Sequence, residues 1–511
     1  MKKQTKTKII KNLFWVLPIL VVILAVLIRF SPVLEDRDFW YDEAFTGILL
    51  KQPLPEMNQM IFDDVHPPLH YWIAKPWSAM FDYSPAGIRS LSIVFGVLTV
   101  ISLFWIGWKM FNKRAGMLAA IIATFSPFAI QYSQEARMYS LFGFLLLWAV
   151  WFFYRALQKN KIKDWVLWGV FGGLAFLTHY LSLFFFVMFY VAYVLYQKNF
   201  NKKEIFNIPF TKKAKNKGAV LFGDKGFWIG VGVIALFFLS WIKIFITHML
   251  KGNLGWIDVS YLSDIPSTLQ IFLFGHLPGT GGVPEANSFA DLAINKSSIF
   301  NGSSVGLLVL ILLTVLFVVA WKKNQKRKEF LVLSLISIGT LAFLILLSYV
   351  NIKLYVSRYF MPSAVLFYLL GAGLITEVFK KKWAWLITLF IYALLLLGLN
   401  QITYQTGWSQ FFKAYEKGLF QKEYIITSNP FEYTSARYYF GKDKVRYYNK
   451  ANPMEDFSGW VVVGNENRIE DEAELMEYKE SSIVVDRDCN WEIAELEKVA
   501  EFEDYQICKI K

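Results

Sequence analysis

The chain has 511 residues, 55% of them hydrophobic and 18% aromatic, with a net charge of +13 and a mean hydropathy of +0.38. That composition excludes an ordinary soluble domain and points to an integral membrane protein with many apolar spans. The positive charge does not mark a nucleic-acid binder. The last 91 residues carry 12 Lys+Arg against 20 Asp+Glu, so the basic excess lies earlier, in short loops where lysine acts as a topology signal.

The start, MKKQTKTKIIK, precedes an apolar run that ends at Arg29-Phe30-Ser31-Pro32 without a small-x-small cleavage site. It reads as an uncleaved first transmembrane helix. About 11 segments are long enough to cross a bilayer: 13–31, 88–111, 116–132, 138–157, 164–180, 182–197, 227–247, 304–321, 330–350, 359–379 and 383–403. Every second connection is basic, as at Lys109–Arg114, Lys159–Lys163 and Lys322–Lys328. Those connections are expected in the cytoplasm with the N-terminus, in a multi-pass protein of the plasma membrane. The other loops and the tail then face outside.

The first external loop opens with DRDFWYDEAF, which sets Asp36, Asp38, Asp42 and Glu43 among Phe39, Trp40 and Tyr41. Carboxylates beside hydrocarbon are costly and mark a wet cavity. Beyond them, Ala44–Phe62 and Leu69–Phe81 show helical spacing broken by prolines, and read as interfacial helices. The second large external loop has an apolar part, Ile265–Leu277, then a Gly-rich tract, Pro278–Pro284. Two glycosylation sequons begin at Asn295 and Asn301.

From about Gln421 the pattern changes. Tyr424–Thr427, Val445–Tyr448, Trp460–Val463 and Ile483–Val485 read as buried strands. Phe431–Tyr439 and Glu470–Tyr478 read as helices, and Lys498–Lys509 as a hairpin. The expected organisation is a membrane domain over 1–403, with its site formed by loops 32–87 and 248–303. A linker over 404–420 and a small extracytoplasmic α/β domain over 421–511 follow. The two cysteines, Cys489 and Cys508, read as unpaired thiols rather than a bridge, although an oxidising side permits one.

Polar clusters gather at the expected outer ends of the helices: Asp42-Glu43, DDVHPPLHYW (Asp63–Trp72), QYSQEARMYS (Gln131–Ser140), Thr178-His179-Tyr180 and SRYFMP (Ser357–Pro362). Taken singly, each has an ordinary reading: arginines at headgroups, Asp63-Asp64 as a helix cap, His66 as a turn residue. Together on one face they suit a lipid-linked sugar phosphate. Arginines and a histidine stabilise the charge that develops on phosphate, a carboxylate takes the acceptor proton, and aromatic faces pack the sugar.

The ordered series WYDEAFT, DVHPPLHYW, AGIRSLS, YSQEARMYS, THY and SRYFMP resembles the GT-C membrane glycosyltransferases. Within them it is similar to the group of protein O-mannosyltransferases and the lipid A aminoarabinose transferase. The resemblance covers about 30–380 and implies an all-α polytopic membrane fold, here with the α/β tail. It also implies inverting transfer from a polyprenyl-phosphate sugar on the extracytoplasmic side to a glycan, lipid or protein acceptor. Asp42 matches the catalytic acid of that group and is expected as base, with Glu43 as helper. His66, Arg137 and Arg358 are expected to bind donor phosphate. Asp64, Tyr71, Glu135, Tyr139, His179 and Tyr359 are expected to contact substrate. His66 stands where the aminoarabinose enzyme has a phosphate-binding lysine, and Val65 replaces the preceding glutamate. Use of a divalent metal is therefore left open, and no other cofactor is implied. The rival readings are a transporter or flippase of lipid-linked saccharides, and a saccharide polymerase or ligase.

Overall fold

Long apolar runs satisfy their backbone in a bilayer only as helices. A computed structural model of the chain shows them so. It describes residues 2–31, 38–201, 224–251, 257, 259–275, 302–323, 326–379, 408–427, 430–448, 460–463, 466–486, 489–491, 495–502 and 505–511. After α1 (Lys2–Phe30) come three short helices, α2 (Tyr41–Lys51), α3 (Leu54–Asp63) and α4 (Leu69–Ala79). Prolines set the breaks between them, as expected. The membrane helices continue as α5 (Pro85–Met110), α6 (Lys113–Phe125), α7 (Pro127–Ser133), α8 (Tyr139–Lys159), α9 (Ile162–Phe176), α10 (Ser182–Phe200) and α11 (Lys225–Lys251). A short α12 (Asp264–Phe274) precedes α13 (Gly302–Lys322), α14 (Arg327–Ser348, with a π-helical stretch at Leu335–Gly339) and α15 (Met361–Val378).

Ten of the expected spans fall on these helices. The eleventh, 383–403, lies outside the described residues, as do Asp36, the Gly-rich tract and both sequon asparagines. Seven described helices cross a bilayer by length and apolarity, or eight if α6 and α7 count as one span bent by 64°. The count of 11 is therefore higher than the described helices establish.

Local chemistry explains the breaks. Asn112 caps α6 by accepting the amides of Arg114 and Ala115, each at 3.0 Å. Ser126 caps α7 by accepting from Ala129, with Pro127 at the first helical position. Between them the carbonyls that end α6 are taken by a buried arginine of α1. Arg29 Nη2 donates to Ala123 O at 2.8 Å and Nη1 to Thr124 O at 3.2 Å, while Nε donates to Ser133 Oγ at 3.2 Å. A cation against a helix C-terminus is favourable, and this one holds the bend that leads into the 131–138 segment. On α6, Gly116 lets the backbone of α5 approach; a Cβ there would collide with the carbonyl of Phe104.

The tail forms one six-stranded sheet from β1 (Tyr424–Thr427), β2 (Val445–Tyr448), β3 (Arg468–Ile469), β4 (Ser482–Asp486), β5 (Leu496–Phe502) and β6 (Tyr505–Ile510). The order is β3-β2-β1-β4-β6-β5. The first four strands are parallel, and β6 runs antiparallel to both β4 and β5. Three expected strands, both expected helices and the hairpin strands are present. Trp460–Val463 is instead one turn of helix. A four-residue apolar run has no period to separate helix from strand, and here the carbonyl of Val462 accepts from Arg437. The stretch expected as a linker carries a helix, Trp408–Glu416, whose Trp408 ring lies 5.0 Å from that of Tyr505. The cysteines are not thiols: Cys489 and Cys508 form a disulfide that ties the segment before β5 to β6.

Replacing Arg29 by Ala leaves the Ala123 and Thr124 carbonyls without this donor in an apolar setting. A loss of about 2–3 kcal/mol is expected, visible as a lower unfolding midpoint for the detergent-solubilised protein.

Candidate active site

The helix ends at one face of the bundle converge on α2. Its N-terminus is set by Trp40, whose carbonyl accepts the amides of Glu43 and Ala44, both at 2.9 Å. Two adjacent carboxylates in that first turn are favoured by the helix dipole, but the structure separates their fates. Glu43 is fully buried. Its Oε1 accepts from Arg89 Nε at 2.7 Å and from the amide of Ala136 at 2.8 Å, and its Oε2 accepts from Arg89 Nη2 at 2.6 Å. Arg89 Nη2 also donates to Asp38 O at 2.5 Å. Both oxygens of Glu43 are thus engaged in tying α2 to α5 and to the 133–138 loop.

Asp42 points differently. Its side chain keeps 17% of its exposure, and its Oδ2 lies 3.9 Å from Arg137 Nε. Arg137 is held in place from several sides. Nη2 meets His66 Nε2 at 3.0 Å, and Nη1 reaches Thr46 Oγ1 at 3.3 Å and Tyr71 Oη at 3.5 Å. A guanidinium only donates, so His66 Nε2 accepts, and His66 Nδ1–H donates to Asp64 Oδ2 at 2.6 Å. Burial opposes the charge on Asp64. The neighbouring His66, its hydrogen bond, the Val65 amide and Arg137 together still hold the carboxyl below its ordinary value. Burial also works against the Arg137 cation, but Tyr71, Asp42, Tyr139 and Asp64 around it raise its pKa.

A second layer is aromatic. The His179 ring lies 4.9 Å from Tyr359, 6.4 Å from Tyr139 and 5.1 Å from Phe142, stacked on the last. The amide of Leu181 donates to His179 Nδ1 at 3.2 Å, which leaves the proton of the neutral ring on Nε2. The Arg358 guanidinium sits 5.6 Å from the ring of Tyr359 and 5.9 Å from that of Trp40, joining the aromatic layer to the start of α2. Glu135 is buried and accepts from Gln131 Nε2 at 3.4 Å. Among the described residues, no three His, Cys, Asp or Glu side chains come together as a metal site. The expected Asp64 has His66 as its partner and fits no such set.

Asp42, Asp64, His66, Tyr71 and Arg137 therefore form one connected cluster. Tyr139, His179, Tyr359 and Arg358 line its side, while Glu43 and Glu135 lie in the buried layer beneath. Sequence reasoning quoted Arg89 only within AGIRSLS and gave it no role. The available signal was an arginine one turn into a 26-residue apolar helix, which demands a buried partner.

The cluster is a partly exposed carboxylate beside a cation at one end of a polytopic helical bundle. Known proteins share parts of this chain and its fold. Residues 65–211 match the family described as dolichyl-phosphate-mannose-protein mannosyltransferase. The fold matches that of ArnT from Cupriavidus metallidurans, both apo and bound to undecaprenyl phosphate, with a TM-score of 0.61, 12% identity and 97% of each chain covered. It also matches the oligosaccharyltransferase AglB from Archaeoglobus fulgidus, in complex with an inhibitory peptide and a dolichol-phosphate. There the TM-score is 0.50 at 13% identity, covering 93% of this chain and 69% of that one. No curated protein matches the chain by sequence. The chain has the GT-C fold that ArnT shows, and its residues 65–211 resemble the mannosyltransferase family.

Removing Arg89 alone strands a buried carboxylate. Arg89→Met is expected to destabilise the folded protein by about 3–5 kcal/mol, and Arg89→Met/Glu43→Leu to recover most of that in thermal unfolding. A second expectation concerns acid. Burial first, then nearby cations, lowers His70 and His179 from 6.5 to about 3. Between those values the unfolded chain binds more protons, so stability is full above the unfolded value and is lost as pH falls through the window. Replacing either histidine by Gln should cut the slope of stability between pH 6 and 4 by up to about 1.4 kcal/mol per unit, measured by denaturation at stepped pH.

Proposed function

We propose that this protein moves a sugar from a polyprenyl-phosphate donor to an acceptor hydroxyl, with inversion, at the extracytoplasmic membrane surface. The carrying observation is the pair Asp42–Arg137. A partly exposed carboxylate lies 3.9 Å from a guanidinium that His66, Thr46 and Tyr71 orient. Asp42 takes the proton of the acceptor hydroxyl. The acceptor oxygen bonds to the anomeric carbon from the face opposite the phosphate. The carbon–oxygen bond to phosphate breaks, and its electron pair leaves with the phosphate. Arg137 and Arg358 stabilise that charge as it develops, and Trp40 and Tyr359 offer faces for the sugar. Glu43, with both oxygens engaged, serves in this reading by positioning α2.

Two features support the external side. Lys109, Lys113 and Lys159 to Lys163 lie at the opposite helix ends from the cluster, where the cytoplasm is expected. The tail, on the cluster's side, carries a disulfide, which suits an oxidising compartment. The acceptor class is a glycan, lipid or protein hydroxyl, and the sugar is a hexose or pentose.

The test offers purified protein in nanodiscs a panel of polyprenyl-phosphate sugars together with an extract of glycans, lipids and proteins, and follows loss of sugar from lipid by mass spectrometry. Wild type should consume a donor, and Asp42→Asn should lose about 100- to 10,000-fold in rate while remaining folded. Near-normal turnover by Asp42→Asn removes Asp42 as base. Movement of intact labelled lipid across the bilayer, without cleavage by wild type, moves the assignment to transport.

A further inference from the structure

We infer that the α/β tail is a brace for the catalytic helix, and that Tyr438 and Tyr439 are positioning residues that act on Asp42 through α2. The inference rests on the proposed role of Asp42. Both tyrosines belong to the helix Pro430–Phe440, which lies directly on α2.

The contacts converge on the N-terminal half of α2 and on the segment that enters it. The amide of Phe39 donates to Tyr439 Oη at 3.2 Å, and Tyr439 Oη reaches Asp38 Oδ1 at 3.5 Å. The ring of Phe39 lies 4.8 Å from that of Tyr438, and the Arg89 guanidinium sits over the other side of Phe39 at 4.8 Å. Tyr41, next to the base, meets Phe431 edge-on at 4.8 Å. At the far end of α2, the Lys51 ammonium lies 3.9 Å over the Tyr438 ring, and Tyr438 Oη donates to Tyr83 O at 3.1 Å. The tail thus touches α2 on both sides of Asp42 and covers the buried Glu43–Arg89 pair.

The seat is one residue wide. Gly47 stands one turn after Glu43, and a Cβ built on it would lie 2.5 Å from Tyr438 Cε2 and 3.1 Å from a Phe39 ring carbon. Gly47 has ordinary helical neighbours and no positive φ, so the helix itself does not need glycine there. Alanine favours a helix more than glycine does. Glycine is needed there for the Tyr438 ring of the tail, whose atoms lie closest, and for the Phe39 ring packed against it.

This gives a variant whose two readings have opposite signs. If the tail merely covers the membrane domain, Gly47→Ala strengthens α2 and leaves transfer unchanged. If the tail braces α2, Gly47→Ala unseats Tyr438 and lets Asp42 drift, and small displacements of a catalytic group are costly. The experiment measures donor consumption by full-length wild type, Gly47→Ala, Tyr438→Ala, Tyr438→Phe and the Gly47→Ala/Tyr438→Ala double variant. Hydrogen exchange is measured at the amides of 41–46. The brace predicts that Gly47→Ala and Tyr438→Ala each lose about 10- to 100-fold in kcat with donor KM little changed. It also predicts faster exchange at 41–46. Tyr438→Phe, which keeps the ring, should retain most activity. The double variant should be no worse than Tyr438→Ala alone, because both changes break the same contact. Gly47→Ala with wild-type kcat and wild-type exchange overturns the brace. So does a double variant whose loss is the sum of the two singles. Absence of donor consumption by wild type instead tells against the proposed reaction, and the exchange readout still decides whether the tail holds α2.

Discussion

A charge pair with no access to water organises this face of the protein. Glu43 and Arg89 are both fully buried, and their pairing is bidentate. Such a pair holds only if its remaining donors and acceptors are also met. The Ala136 amide and the Asp38 carbonyl meet them. Three stretches distant in sequence are thereby fixed to one another: α2 with the segment that enters it, α5, and the loop that carries Arg137. The placement of Asp42 and Arg137 follows from that, because Asp42 adjoins Glu43 and Arg137 adjoins Ala136, which donates to Glu43. Buried polar geometry of this kind specifies position more than it adds stability.

The two acidic neighbours show how a helix divides labour. Successive residues differ by about 100° around the axis, so Asp42 and Glu43 cannot face the same environment. One is directed into the protein and paired; the other lies beside Arg137 and keeps a measure of exposure. Around the exposed one, burial presses His179 toward its neutral form, while neighbouring tyrosines and carboxylates keep Arg137 charged against the same burial.

Much of the membrane part was legible in the chain because the hydrophobic signal there is long and because prolines punctuate it. The break between α3 and α4 at Pro67-Pro68 follows from residues with one mechanical meaning, whereas the bend at Pro127 was not read, because 116–132 ran as one apolar span. The polar clusters were legible as a set, since carboxylates and arginines beside hydrocarbon need a reason. What escaped was pairing. Nothing adjacent to Glu43 says that Arg89, 46 positions on, will take both its oxygens. The Trp460–Val463 turn escaped because four apolar residues carry no period. The disulfide escaped because two cysteines alone fit either thiol or bridge. Tyr438 and Tyr439 carried no signal at all: an aromatic pair in a tail helix looks like ordinary core until the surface it meets is known.

The sheet order has a consequence for how the molecule is made. β1 lies between β2 and β4, and β4 is completed by β6, whose residues run to Ile510. The strand before the Pro430–Phe440 helix therefore gains both its neighbours only after β4 has been synthesised, and β4 gains its second only with β6. The Phe39 amide and the Tyr439 hydroxyl that it meets are 400 residues apart, a gap of roughly 20–80 s at ordinary elongation rates. Throughout that interval the segment that enters α2 lacks the tail helix it meets in the folded protein. Closure of the two ends of the chain is one of the last events in its assembly, and a nascent chain arrested before the tail exists holds an unfinished surface at the membrane.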